Sequence, residues 1–161
     1  MAGRTCVNSD SFVRVALIHP DIAGNTGNIG RLCVGLDIEL HLVRPLGFVL
    51  DDKKIRRSGL DYWPHLKLHV HDGLDEFMRT FSSSRMFFFS TKAEAVYTQI
   101  RFQSGDMIVF GAESTGLPLK LLQAYPGQVF RLPMPGPVRS LNVASCVAVM
   151  AFEAHRQLHA V

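Results

Sequence analysis

The sequence lacks any apolar run long enough to cross a lipid bilayer, which takes about 20 consecutive apolar residues. Its first apolar stretch begins at Phe12 and is interrupted by Arg14, and the residues before it are too polar for the core of a signal peptide. We therefore expect a cytoplasmic protein without a membrane segment.

Cysteine is scarce, and neither sign of charge is in large excess. Cys6, Cys33 and Cys146 are odd in number and lack metal-type spacing, a pattern that favours core thiols in a reducing compartment over a disulfide framework. With a net charge of only +3, affinity for a polyanion has to come from local clusters of basic residues. A length of 161 residues with 47% hydrophobic residues indicates one globular domain and excludes a disordered or fibrous chain.

Apolar runs with the length of buried strands recur along the chain, and helical patterns lie between most of them. These runs are Phe12–Ile18, Leu40–Val43, Leu66–Val70, Met86–Phe89, Met107–Phe110 and Val129–Leu132. The alternation predicts an α/β fold, a single domain with a mostly parallel sheet flanked by helices. Ligands of such sheets bind beyond the carboxyl ends of the strands, so a site is expected in the loops after Ile18, Phe89, Phe110 and Leu132.

The helices are predicted from the spacing of apolar residues. Ile29, Leu32, Cys33 and Leu36 share one helix face, and the polar residues at 25–28 are available to cap this helix. Two shorter helices are predicted over Asp72–Phe81 and Pro118–Ala124, and the longest runs from Asn142 to about His159. On that last helix Val149 and Phe152 widen the apolar surface beyond the main stripe, which either a dimer partner or a deep core would explain.

The segment HPDIAGNTGNIGRL follows the first predicted strand and carries glycines at 24, 27 and 30. Its spacing resembles a phosphate-binding loop but matches neither the dinucleotide fingerprint nor the P-loop. Arg31 lies off the apolar stripe in what are predicted to be the opening turns of the helix, where its charge opposes the helix dipole. This position indicates an anionic or reacting partner, unless Arg31 pairs with Glu39 or Asp37.

The segment DMIVFGAESTGLP places an acid in a glycine-flanked loop at the end of a buried strand. Gly111 and Gly116 allow a flat ligand to approach the main chain, and Glu113, Ser114 and Thr115 lie between them. An ordinary turn with Glu113 at a helix terminus explains the same residues.

The segment RLPMPGPVRSLNVAS forms a proline-rich, stiff loop before the last helix. It ends in Arg139, Ser140 and Asn142, a set of donors suited to a carboxylate or a phosphate. Ser140 or Asn142 could instead cap the helix.

Together, NTGNIGRL, FGAESTGLP and RSLNVAS resemble, in order and spacing, the three motifs of the SpoU-type RNA methyltransferases of the SPOUT superfamily. The stretches PLGFVLDDKKIRRSGLDYW and FFFSTKA resemble the small tRNA wobble-nucleotide 2′-O-methyltransferases in particular. The resemblance runs from about Val13 to Gln157. It implies an N-terminal extension at 1–12 followed by a methyltransferase domain at 13–161.

The resemblance implies a homodimer with a deep trefoil knot in its C-terminal part. It also implies methyl transfer from S-adenosylmethionine, with S-adenosylhomocysteine as product, to the 2′-hydroxyl of the wobble cytidine or modified uridine of tRNA. Carried over by position, the catalytic residues are Asn25, Arg31, Glu113, Ser140 and Asn142. The cofactor contacts are Phe89, Gly111, Leu132 and Ser140.

Other readings of the sequence stay open. The substrate could be rRNA or another tRNA position, the protein could bind RNA without catalysis, and a Rossmann-type oxidoreductase is disfavoured by the glycine spacing. The family usually has serine two residues after the third-motif asparagine and another polar residue next, where this chain has Ala144 and Ser145. Arg31 is the family's proposed base for the hydroxyl proton, but a guanidinium pKa above about 12 makes an orienting role less costly.

The segment KKIRR is the densest cationic cluster and precedes Tyr62 and Trp63. Basic residues beside aromatic rings are typical of surfaces that bind single-stranded RNA, so we expect an anticodon loop to contact this segment. The predicted RNA-binding residues are Lys53, Lys54, Arg56, Arg57 and Arg139, with Lys92 a weaker candidate.

Five of the seven histidines fall in two groups, His65, His69 and His71 in one segment and His155 with His159 on the last helix. HRQLH lacks the glutamate of zinc hydrolases, and no third ligand lies in register. No metal is therefore expected from the sequence.

Overall fold

The computed structural model describes residues 11–51 and 61–159, and within them strands alternate with helices. The strands are β1 (Val13–Ile18), β2 (Glu39–Val43), β3 (Leu68–His71), β4 (Met86–Phe89), β5 (Asp106–Phe110) and β6 (Val129–Phe130). The α-helices are α1 (Ala23–Leu36), α2 (Leu74–Thr80), α3 (Leu119–Ala124) and α4 (Val143–His159). None of the helices in these two ranges is long and apolar enough to cross a membrane.

The strands form one sheet in the order β3-β2-β1-β5-β4-β6, and every pairing among them is parallel. The predicted α/β class is confirmed, with an all-parallel rather than a mostly parallel sheet. From β1 the chain builds outward through β2 to β3, and the later strands lie on the other side of β1. The strand order therefore reverses between β1 and β5, where the loops at the carboxyl ends diverge and leave room for a ligand.

The sheet is covered on both faces. Ile29 and Cys33 of α1 and Met150 of α4 pack on one face, and Phe77 of α2 and Leu121 of α3 pack on the other. Because both faces are buried, the central strands β1 and β5 are apolar except for one charged residue each, Arg14 and Asp106, instead of alternating.

The strand boundaries differ from the predicted ones where charged or polar residues are buried. β2 begins at Glu39 and β5 at Asp106, both almost fully buried and each held by an arginine: Arg14 Nε lies 3.2 Å from the Glu39 carboxylate and Arg85 Nε 2.9 Å from that of Asp106. An apolar pattern cannot reveal strand residues whose charge is neutralised by a distant partner.

Helix α1 starts earlier than predicted, at Ala23, and the proposed capping by residues 25–28 is wrong. The residue before the helix is Ile22, and none of the described side chains caps it. Gly24, Gly27 and Gly30 lie inside the helix and form no phosphate-binding loop. Gly30 serves packing instead, because a Cβ there would come within 3.2 Å of both Trp63 and Leu66.

Arg31 does not lie at the start of the helix, so the argument from the helix dipole is also wrong. It follows Ala23 by about two turns, in the middle of α1. The predicted ion pairs are absent as well, since Asp37 pairs with Lys67 at 2.8 Å and Glu39 pairs with Arg14.

Helix α4 has the predicted apolar stripe and a cap. Val147, Met150, Ala151 and Ala154 are buried against α1 and the sheet. The Oδ1 of Asn142 accepts a hydrogen bond from the Ala144 N–H at 2.9 Å, so Asn142 caps the helix. Val149 and Phe152 are 43% and 54% exposed, which excludes a deep core as the reason for their apolar character.

Candidate active site

A cavity of about 1050 Å³ opens at the carboxyl ends of β1, β4, β5 and β6. Its walls come from the four loops that the sequence indicated, together with the start of α4. All of the predicted cofactor contacts line this cavity: Phe89, Gly111, Leu132 and Ser140.

Three side chains from the three sequence motifs meet in a hydrogen-bonded set at this cavity. The Asn25 Nδ2 donates to the Glu113 Oε1 at 3.0 Å, and the Asn142 Nδ2 donates to the Asn25 Oδ1 at 2.9 Å. These bonds join residues 88 and 117 positions apart in the chain. The fold therefore brings together three of the five predicted catalytic residues, and Ser140 lines the same cavity.

The orientation of both amides in this set follows from main-chain donors at its two ends. At one end the Ala144 N–H donates to the Asn142 Oδ1, which leaves the amide nitrogen of Asn142 directed at Asn25. At the other end the Asp21 N–H donates to the Glu113 Oε2 at 2.7 Å. Because a backbone N–H can only donate, the two amides have one consistent orientation, and Glu113 acts as the terminal acceptor.

A second contact joins the loop after β1 to the loop after β5. The carboxylate of Asp21 accepts hydrogen bonds from both the main-chain N–H and the hydroxyl of Ser114. These bonds hold the pKa of Asp21 below its usual value. The sequence indicated the loop but not Asp21 itself, because its role depends on a residue 93 positions away.

Gly111 is required for a close approach of two main-chain segments. A Cβ at this position would lie 2.2 Å from the carbonyl carbon of Gly116 and 2.3 Å from the Leu117 nitrogen. Gly116 itself has a φ of 71°, in the left-handed region that favours glycine. The two glycines thus bring the main chain directly to the cavity wall.

His19 was not indicated by the sequence. It follows β1 directly, has a φ of 54° that non-glycine residues rarely adopt, and lines the cavity. Its Nδ1 is buried and finds no hydrogen-bond partner within the described residues. No sequence signal marks such a position, because its conformation is imposed by the packing around it.

The lining of the cavity carries more basic than acidic residues. Lys92, Arg131 and Arg139 line it, and Glu113 is its one lining acid among the residues described. Of the predicted RNA-binding residues the structure places Arg139 here, whereas Lys53, Lys54, Arg56 and Arg57 lie outside the described residues.

Arg31 does not line this cavity, unlike the other predicted catalytic residues. Its guanidinium lies over the ring of Tyr62, 5.6 Å from the ring centroid. The Tyr62 hydroxyl in turn donates to the Gly27 carbonyl, which holds the ring against α1.

The sequence pattern of the SpoU rRNA Methylase family matches residues 12–152. The chain belongs to this SpoU family. The Ala144 position, at which it departs from the usual SpoU motif, contributes a main-chain N–H to the Asn142 cap, so the capping contact does not need a serine side chain.

Relatives of known structure or name resemble this SpoU chain over nearly its whole length. The tRNA (cytidine(34)-2′-O)-methyltransferase of Burkholderia cenocepacia is 47% identical over 146 residues, 89% of this chain and 94% of that protein. A solved structure described as "Structural insights into the 2-OH methylation of C/U34 on tRNA" is 44% identical with a TM-score of 0.87, covering 94% of this chain and 99% of its own.

The fold extends to more distant SpoU structures. An AdoMet-bound rRNA methyltransferase from Sinorhizobium meliloti superposes with a TM-score of 0.78 over 91% of this chain and 56% of that chain. At 23% identity, this similarity shows the fold alone.

The close approach at Gly111 predicts the effect of a single methyl group. Gly111→Ala forces the main chain at Gly116 to move, and we expect a loss of about 3 kcal/mol or more in the free energy of unfolding, measured by urea denaturation. Gly127→Ala is the matched control, since a Cβ at Gly127 meets nothing within 4 Å. Equal stability of the two variants would contradict the described packing.

Proposed function

We propose that this protein transfers the methyl group of S-adenosylmethionine to the ribose 2′-hydroxyl of the wobble nucleotide of tRNA, position 34. The observation that carries the proposal is the hydrogen-bonded set of Asn25, Glu113 and Asn142 in a cavity at the strand ends. Both close relatives are named for 2′-oxygen methylation at position 34. Their similarity over nearly the whole chain supports the same substrate class, cytidine or modified uridine.

The cavity suits S-adenosylmethionine. The rings of Phe89 and Phe110 stack in one wall with centroids 4.7 Å apart, Leu132 adds apolar surface, and the main chain at Gly111 is part of the lining. Its volume lies at the upper end of ligand cavities, which leaves room for a nucleotide beside the cofactor. The bound cofactor supplies an electrophilic methyl group on a sulfonium and leaves as S-adenosylhomocysteine.

The roles of the chain's own residues follow from their contacts. Glu113, anchored by the Asp21 N–H, orients the Asn25 amide, which in turn orients the amide of Asn142. We infer that Ser140 and Asn142 contact the ribose, and that the guanidinium of Arg31 holds the hydroxyl and a neighbouring phosphate for in-line attack. An arginine stays charged, so positioning and charge stabilisation are its contributions.

The charge around the cavity is suited to RNA. Lys92, Arg131 and Arg139 present cations in its lining, which would attract the phosphates of an anticodon loop. The predicted contacts from Lys53, Lys54, Arg56 and Arg57 remain part of the proposal, as does action on tRNA in the cytoplasm. Tyr62 and Trp63, which follow that segment, pack against α1 beside Arg31.

We infer that a homodimer completes the site. Arg31 follows Asn25 by six residues and so lies about 240° around α1, turned away from the cavity that Asn25 lines. Val138, Leu141 and Phe152 expose 54%, 45% and 54% of their surfaces in the loop before α4 and on α4 itself. If a second copy covers these side chains, the Arg31 of one protomer can face the cavity of its partner.

The SpoU resemblance also implies a deep trefoil knot, which we include in the proposal together with the division into residues 1–12 and 13–161. What supports the knot is the course of the C-terminal segment. It leaves β6 at the edge of the sheet and returns to α4, which packs against α1, β1 and β5 at the centre.

Methyl transfer tests the proposed reaction. The wild-type protein is incubated with tritiated S-adenosylmethionine and total tRNA from cells lacking the activity, and the labelled nucleoside is mapped. We expect a 2′-O-methylated pyrimidine at position 34 and a loss of about 100-fold or more in Arg31→Ala, because the hydroxyl is no longer aligned.

The control for this assay is Arg79→Ala, which removes an exposed arginine of α2 that bonds only to a nearby main-chain carbonyl among the described residues. Label in rRNA or at another tRNA position would assign a different SpoU substrate. Label on a base, or none with any RNA, would contradict the proposal.

Cys146 offers a test of the cofactor. Its thiol is half-buried in the cavity wall, and burial raises its pKa. Cys33 is fully buried with its pKa raised to about 12, so it serves as an internal unreactive control. At ten times its dissociation constant, S-adenosylmethionine should slow alkylation of Cys146 by iodoacetamide about tenfold, followed by peptide mass spectrometry, whereas NAD should not. Equal protection by NAD would argue against the cofactor assignment.

Mixing inactive variants tests whether Arg31 acts across a dimer. Arg31→Ala and Asn142→Ala homodimers are each expected to be inactive, because every site lacks one group. After equal mixing and subunit exchange, half of the dimers are mixed and each has one complete site, so activity should return to about a quarter of wild type. No recovery after verified exchange would place Arg31 and Asn142 in the same protomer's site.

A further inference from the structure

A second polar cluster lies under α2, on the sheet face opposite α1 and α4. The strand register pairs Arg14 with Glu39 and His41 with His69, so their side chains project from this same face. The side chains of Glu39 and His41 are 8% and 1% exposed. None of these residues lines the proposed catalytic cavity formed by the described residues.

We propose that Glu39, His41 and His69 bind a divalent transition-metal ion, with Zn²⁺ the best suited. One ligand atom from each of the three residues lies within 4.8 Å of the others. Two imidazole nitrogens and a carboxylate oxygen form a ligand set typical of Zn²⁺, Co²⁺ or Ni²⁺ with a water in the fourth position. Mg²⁺ and Ca²⁺ are disfavoured, because they bind through oxygen ligands.

A row of contacts lies behind the proposed ligands. Glu39 Oε2 lies 3.2 Å from His41 Nε2, His41 Nδ1 lies 3.0 Å from His71 Nε2, and His71 Nδ1 lies 3.4 Å from Glu76 Oε2. The first two are hydrogen bonds, and the third is an ion-pair contact.

A cation between Glu39 and His41 would fit this row of contacts. The His41 Nε2 then bonds to the metal, its Nδ1–H donates to His71, and the Nδ1–H of His71 donates to Glu76. This chain of an imidazole ligand backed by a further acceptor and a carboxylate is the arrangement that orients histidine ligands around zinc. The rings of Phe77 and Phe81 pack edge-on against His71, while His69 is the most exposed of the three proposed ligands.

Two features lower the affinity that we expect for the metal ion. Arg14 Nε already lies 3.2 Å from the Glu39 Oε2, so its charge weakens the attraction for a dication. The His69 ring stacks on His41 with centroids 4.7 Å apart and has to tilt, because a metal lies near the plane of each imidazole it binds. His69 is on β3, an edge strand of the sheet that the described residues form. Metal binding would fasten this edge strand to β2.

We expected no metal from the sequence, because His65, His69 and His71 were compared only with one another along one segment. The fold supplies the missing ligands from β2, across the sheet, and this proposal therefore revises that expectation.

Metal uptake tests the proposal. The full-length protein, without a histidine tag and after EDTA treatment, is titrated calorimetrically with ZnCl₂, and Co²⁺ binding is followed by its visible absorption. We expect one equivalent bound by wild type, with Zn²⁺ raising the Tm, and binding weakened more than about tenfold in His69→Ala. His65→Ala, four residues earlier and exposed, is the matched control and should bind like wild type.

The pair His155 and His159 on α4 is the competing site, since their rings stack at 4.3 Å. No uptake by wild type would overturn the proposal, as would uptake that survives in His69→Ala but is lost in His155→Ala. Methyl transfer by His69→Ala should equal that of wild type, so the outcome is independent of the proposed catalytic reaction.

Discussion

The Glu113 carboxylate is the point on which the cavity depends. It accepts hydrogen bonds from the main chain of the loop after β1 and from a side chain of α1, while its own loop follows β5. A carboxylate with two directed donors has few alternative positions, and the donors would be left unsatisfied without it. The loop after β1, α1 and the loop after β5 are thus held together by one acid, and the asparagine that caps α4 joins them through Asn25.

In this arrangement, different residues fix the shape of the cavity and form its surface. The polar side chains set the geometry of the cavity, whereas Gly111 and Gly116 allow main-chain atoms to form its surface. A site of this kind binds a ligand through fixed donors and acceptors that need no reorganisation during a reaction, which is the usual source of electrostatic rate enhancement. Its basic lining residues favour an anionic substrate, and the arginine of the first motif, Arg31, points elsewhere. Because Arg31 points away from the cavity of its own chain, we proposed a dimeric site for the SpoU reaction.

The sheet carries two polar clusters of different character. The one at the carboxyl ends is open and connects loops, as expected of a ligand site in a parallel sheet. The one around Glu39 and His41 is buried between strands and a helix. Arg14 neutralises the Glu39 carboxylate, and burial lowers the pKa of His41 to about 4. The placement of one ligand atom from each of Glu39, His41 and His69 within 4.8 Å of the others is the basis of the metal proposal.

Local pattern was enough to predict the α/β class, most strands and the loops that line the cavity, because buried strands and amphipathic helices each have their own period of apolar residues. The resemblance to the SpoU motifs, and not periodicity, singled out Asn25, Glu113, Ser140 and Asn142. Three things were decided by the tertiary structure. Glu39 and Asp106 became strand residues through arginines from other elements, the polar residues after Ala23 entered a helix instead of capping it, and Arg31 turned away from the cavity. Each depends on partners far apart in the chain, and the energy of such contacts cannot be read from neighbouring residues.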